Sequence, residues 1–176
     1  DGLSAFNALS RRLRSTPNEP YAPCYNLPHG AVMKSCVVDS GCSIHMFSDA
    51  AQISHIRKSN VNLQTADKKS HPIAHEGIGT LHAIDAHGRP KTIDIGRTLH
   101  TPNMHDLLSC CGIVNNGGVV HLEGNASYIK LRDNTVFPVH QRGRLFYIDY
   151  VTGVRPRHGL PSAGKIGAYA QSDVCT

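Results

Sequence analysis

Between residues 31 and 150 the chain falls into short strand-like runs punctuated by turn signals. Lys34 to Asp39 is a β-branched run stopped by Asp39-Ser40-Gly41, and Val61, Leu63 and Thr65 alternate with polar residues ahead of a turn at Asp67-Lys68-Lys69-Ser70. The chain returns over His71 to Ile84, interrupted by Gly77 and Gly79, and turns again at Asp85-Ala86-His87-Gly88. Ile93, Ile95 and Leu99 keep the alternation as far as Pro102, with Arg97 the polar exception. Four further strands are expected around Val119-Val120, Tyr128-Ile129, Val136-Phe137 and Leu145 to Ile148. Only Cys110 to Asn116 reads as helix, with Ser109 placed to cap its start and Gly117 to end it. Strands this short and this regularly spaced predict an all-β barrel or sandwich with one short helix.

The flanks differ in texture. Residues 1–30 carry Pro17, Pro20, Pro23 and Pro28, and residues 151–176 carry four glycines and two prolines. Both compositions suit flexible linkers around a domain at 31–150. The chain opens at Asp1 without Met, as a piece of something longer would. No apolar run approaches the ~18 residues of a membrane helix, and no signal-peptide core opens the chain, so no membrane partner is expected. The net charge of +5 is spread along the chain, which gives no basis for direct nucleic-acid binding. Six cysteines without a C-x-x-C pair suit reduced thiols in a cytosolic compartment.

The sharpest chemical signal is Val37-Val38-Asp39-Ser40-Gly41. Two apolar residues bury the strand and deliver a carboxylate at its end. Ser40 adds a hydroxyl, and Gly41 lets another backbone come close. One half of an aspartic-protease centre needs these groups. Two such carboxylates share a proton, because like charges about 3 Å apart cannot both ionise, and together they act as acid and base on a peptide bond. No second copy exists in the chain: Ile93-Asp94-Ile95-Gly96 lacks the hydroxyl residue, and Gln171-Ser172-Asp173-Val174 has the wrong order. The second Asp39 must then come across a two-fold axis. The plain alternative is an Asx turn at a strand end.

Other chemistries fit less well. Cys42, His45, His71, His75, His100 and His105 are metal-ligand types, but Pro72 spoils a helical face in His71 to Glu76, and the order is not His-Glu-x-x-His. Surface or half-buried histidines are the expectation, with no metal and no cofactor. Cys42 with His45 as base is local in sequence and lacks a convergent third group.

Val37 to Met46 resembles the protease segment of copia-type (Pseudoviridae) retrotransposon Gag-Pol polyproteins, where Asp-Ser-Gly is followed by Ala or Cys, Ser and soon His-Met. Leu99 to Ser109, with Pro102 and Leu107-Leu108-Ser109, is similar to a second segment of that family. Gly143-Arg144-Leu145-Phe146-Tyr147-Ile148 looks like its closing Gly-x-Leu-Tyr run. The resemblance covers Val37 to about Tyr150. It implies a retropepsin-like acid-protease barrel protomer, active as a homodimer, with Asp39 catalytic and Ser40 and Gly41 supporting the active loop. It also implies that Leu107, Leu108 and Ser109 form the second hydrophobic-pair loop. Retroviral relatives carry Gly where Ser109 stands.

A substrate-covering flap is expected in the hairpin Val61 to Ile78, with Ala66, Asp67, Lys68 and Lys69 at its charged tip. An ordinary surface hairpin is the alternative. The function so implied is an aspartic endopeptidase cutting peptide segments of its own Gag-Pol polyprotein, its flanks included, in cytoplasmic virus-like particles. Two other readings stay open. One is a co-opted or decayed fold acting as a non-catalytic spacer or binding module. The other makes 113–150 a C-terminal β extension toward the pre-integrase region.

Overall fold

The computed structural model describes residues 31–65 and 67–153. The linkers expected at 1–30 and from 154 onward, and the tip residue Ala66, lie outside the described residues.

The described residues are all-β with one short α-helix. β1 (Val32–Asp39) buries Cys36 and Val38 on one side and leaves Val37 and Asp39 half-buried. After β2 (His45–Phe47) come β3 (Ile53–Lys58), the small hairpin β4 (Asn62–Gln64) and β5 (Ser70–Pro72), then the long hairpin β6 (His75–Ile84) and β7 (Pro90–His100). β8 (Leu107–Ser109) leads into the helix α1 (Cys110–Asn115). β9 (Val119–His121), β10 (Tyr128–Lys130), β11 (Val136–Pro138), β12 (His140–Arg142) and β13 (Leu145–Thr152) complete the described strands.

Six strands close a ring, β13-β1-β8-β2-β7-β6, with Tyr150 of β13 opposite Ala83 of β6 completing the circuit. β13 pairs antiparallel with β1 from Val32↔Thr152 to Val37↔Tyr147. Closure removes the open edges from the ring. β12 and β3 flank it, and the three-stranded sheet β11-β10-β9 supplies Ile129 and Phe137 to the same core as Val38, Leu81, Leu108 and Ile148. Where that sheet meets the barrel a cavity of about 20 Å³ remains, lined by Leu81, Ile93, Leu108, Ile113 and Phe137 among others. It has room for about one water and no larger guest.

The turn at 85–88 forms as expected. Buried Asp85 accepts from the N–H groups of His87 and Arg89, both at 2.9 Å, and Gly88 takes φ 77°. Arg97, the polar exception in β7, has a partner across the hairpin. Its Nε and Nη2 donate to Glu76 Oε2, while Arg57 donates twice to Oε1. Burial alone would raise the Glu76 carboxyl, but the two guanidiniums outweigh it and hold it below its usual value.

α1 starts at Cys110, with the Ser109 hydroxyl accepting from Gly112 N–H, and Gly117 ends it at φ 80°. Two strand boundaries differ from expectation. The return segment His71 to Ile84 splits at Ile73-Ala74, where the chain leaves β4 and joins β7. β13 continues to Thr152, two residues past the expected domain end.

Candidate active site

The Asp39 carboxylate sits where β1 leaves the barrel. Gly41 N–H turns back and donates to Asp39 Oδ1 at 2.7 Å, and a Cβ on Gly41 would lie 3.3 Å from that oxygen. A side chain there would press on the carboxylate, which would have to give by a few tenths of an ångström. Ser40 and Gly41 are exposed.

β8 runs parallel to the end of β1, setting Val37 opposite Leu107, Val38 opposite Leu108 and Asp39 opposite Ser109. Leu108 enters the barrel core, and Leu107 packs into a second cluster outside it. The structure thus brings together Asp39, Gly41 and the segment 107–109. The residue opposite Asp39 is a serine, so this strand pair supplies one carboxylate and not two.

Ser109 joins three segments. Its hydroxyl donates to the Cys42 carbonyl at 2.5 Å and accepts from Gly112 N–H at 3.0 Å, and its own N–H donates to His45 Nδ1 at 3.0 Å. The residue is fully buried, and these bonds satisfy its polar atoms, as burial requires. His45 is only 2% exposed, which corrects the expectation of a surface or half-buried histidine. Burial lowers its pKa to about 4, against a smaller opposing effect of the Ile95 carbonyl. The ring is neutral at physiological pH.

That environment rules against a Cys42–His45 nucleophile. The Cys42 thiol donates to the Ile44 carbonyl at 2.8 Å. Burial, above all, pushes its pKa up to about 11, despite the opposing bond to Ile44, and the Asp39 charge adds to the rise. A thiol this far from ionisation is a poor nucleophile, and the Nδ1 lone pair that a base would use is taken by Ser109. The Cys110 thiol is raised as well, by burial and then by Asp39. Among the described residues Cys36, Cys42 and Cys110 are free thiols. Among the described residues no group of three His, Cys, Asp or Glu side chains is arranged to hold a metal. His75 and His100 are register partners, with ring centroids 6.4 Å apart.

The hairpin β4–β5 packs its base on the site. Val61, Leu63 and Ile73 share the outer apolar cluster with Cys42, Ile44, Met46 and Leu107. Its tip is polar. Thr65 Oγ1 donates to Asp67 Oδ1, Lys69 pairs with Asp67 at 2.9 Å, and Lys68 stands at φ 62° in the left-handed region. The Thr65 and Lys69 bonds lower the Asp67 carboxyl to about 2. The hairpin is shorter than the Val61 to Ile78 span expected, since Ile78 belongs to β6.

Residues 36–119 match the family model of the Pol polyprotein beta-barrel domain. The match supports a retroelement Pol polyprotein region. It contains five of the six ring strands, β1 in part, and stops short of β13, the strand that closes the barrel. No curated protein matches the chain.

Sequence reasoning weighed one part of the site only in other roles and missed a second. One is His45, whose burial follows from β2 lying between β7 and β8. The other is Asp106. Its Oδ1 accepts from Ser48 N–H at 2.7 Å and Ser48 Oγ at 2.8 Å, its Oδ2 from the Tyr150 hydroxyl, and its carbonyl from Val37 N–H at 3.0 Å. It ties β1, β13 and the end of β2 together just before the 107–109 segment. The only local hint is an acidic residue two positions ahead of Leu108.

Proposed function

We propose that this chain is the aspartic endopeptidase of a copia-type retrotransposon Gag-Pol polyprotein, working as a homodimer on peptide segments of that polyprotein. The observation that carries the reading is a carboxylate fixed at the mouth of a closed barrel. Gly41 N–H holds Asp39, Ser40 and Gly41 face outward, and a serine fills the opposite register position. A two-fold axis through that exposed loop brings Asp39 and the partner's Asp39 to share one proton. The ionised carboxylate takes a proton from water as it attacks the scissile carbonyl. The protonated one donates to the carbonyl oxygen. The hairpin β4–β5, seated on the same apolar cluster as the active loop, is the segment that covers an extended peptide through backbone hydrogen bonds. The reaction so written needs no metal and no cofactor. It takes place in cytoplasmic particles where the polyprotein is concentrated, and the flanks of this domain are among its substrates.

The test is incubation of the chain and of Asp39→Asn with their own flanking polyprotein from about pH 4 to 8, the range around a shared-proton pair. Products are read by mass. Cleavage by the wild type alone, with a concentration-dependent dimer in the ultracentrifuge, is the expected result. Cleavage that survives Asp39→Asn refutes the mechanism. A monomer that cleaves nothing makes the fold a spacer or binding module.

A further inference from the structure

We propose that buried His45 is a positioning residue for the Asp39 site, its imidazole holding the Ser109 amide and through it the spacing of the active loop, β8 and α1. The inference rests on the aspartic-protease reading above and adds to it a residue that touches no reacting atom.

The chemistry begins with a donor that has one option. A backbone N–H can only donate, so Nδ1 of His45 accepts at 3.0 Å and the ring proton resides on Nε2. Nε2 is buried and makes no hydrogen bond of normal geometry, with the Ile95 carbonyl as the acceptor that faces the ring. The ring has nowhere to go. Gly112 of α1 lies against it, so close that a Cβ there would fall 2.5 Å from Nε2 and 2.9 Å from Cε1. Thr98 of β7, fully buried, is its register partner on the neighbouring strand. With the ring fixed, Ser109 is fixed, and its hydroxyl bonds both the Cys42 carbonyl of the active loop and the first turn of α1. Only Ser40 and Gly41 lie between Asp39 and Cys42, so slack in the Ser109–Cys42 bond reaches the carboxylate through two residues.

The groups facing the ring are the Ile95 carbonyl and Thr98 from β7, Ser109 from β8 and Gly112 from α1, and no carboxylate, amine or guanidinium contributes to its titration. An added proton on Nδ1 therefore meets the Ser109 N–H head-on with no anion to offset it. Protonation of the ring thus breaks the Ser109 bond and loosens the site.

The test uses the full chain with His45→Leu, which keeps bulk and removes the acceptor, and His45→Asn, which places an acceptor near the Nδ1 position and cannot titrate. Two readouts are taken: kcat and KM on the flanking polyprotein across about pH 4 to 7.5, and the amide ¹⁵N–¹H shifts of Ser109 and Gly41. His45→Leu should lower kcat by about tenfold or more with a smaller change in KM, as misplacement of catalytic groups does. His45→Asn should restore most of kcat and carry activity to lower pH than the wild type. The Gly41 resonance should move with that of Ser109. Wild-type kcat in His45→Leu, or a Gly41 shift unaffected when Ser109 moves, overturns the inference. If Asp39→Asn cleaves as well as the wild type, the protease reading fails, and the amide shifts still decide whether His45 sets the loop. If His45→Leu does not fold, the wild-type titration decides: Ser109 and Gly41 must report the midpoint of the His45 ring.

Discussion

Acidifying the solution from pH 7 to 4.5 should destabilise this protein through one buried ring. In the unfolded chain His45 takes up its proton near 6.5, whereas in the barrel burial lowers the pKa to about 4. Between those values the unfolded state binds a proton that the folded state refuses, so stability is full above about 6.5, falls as the pH drops and levels off below about 4. Each unit of difference is worth about 1.4 kcal/mol. The full window of two and a half units corresponds to about 3 kcal/mol, and the part reached by pH 4.5 to about 2 kcal/mol.

Other groups add to the acid loss, since Glu76 has a lowered carboxyl pKa, while His82 and His140 have lowered imidazole pKa values, chiefly through burial. A difference measurement isolates His45. Urea unfolding of the wild type and of His45→Asn, followed by far-UV circular dichroism because the chain has no tryptophan, is repeated at pH 7 and 4.5. The wild type should lose about 2 kcal/mol more than the variant over that interval. Equal losses, or a His45 ring that titrates near 6.5 by NMR in the folded protein, would refute the reasoning.

Gly112→Ala sets two effects against each other. Helix propensity favours alanine by about 1 kcal/mol, but the new Cβ meets His45 Nε2 at 2.5 Å, and overpacking of this kind costs about 1–3 kcal/mol. A net loss of stability in chemical denaturation is expected, and a variant more stable than the wild type would mean that the ring yields. Tyr150→Phe removes the hydroxyl that donates to Asp106. A bond to a charged group is worth about 1.5–3 kcal/mol, so the unfolding midpoint should drop accordingly, whereas an unchanged midpoint would show that Asp106 holds β1 and Ser48 without it.

Much of the architecture was legible because β structure writes itself locally. The β-branched run at 34–39, the strand runs at 93–99 and 145–148, the Asp85 to Gly88 turn and the Ser109 cap on α1 all depend on neighbours within a few residues, and each formed where its residues indicated. Strands β2, β3 and β12 were not legible. Two are three residues long, too short to display a period, and β3 is exposed along most of its length and carries His55 at φ 51°, so burial leaves almost no alternation in it. The hairpin at 62–72 was visible by its charged tip, but its length was not, because the switch of partner at Ile73-Ala74 is a contest between β4 and β7 that no local residue decides.

The candidate site divides along the same line. Asp39, Ser40 and Gly41 announce themselves, since a carboxylate, a hydroxyl and a glycine closing a buried strand are consecutive in the chain. Ser109, His45, Gly112 and Asp106 acquire their roles only through contacts spanning three to 67 positions. The chain alone determined which segment ends on a carboxylate and that strands would alternate around a common core. Ring closure decided the rest: it laid β8 beside β1, buried an imidazole between strands and helix, and put a serine rather than a second carboxylate opposite Asp39. Alternation is a property of adjacent residues, whereas burial and register belong to pairs of strands that the sequence keeps far apart.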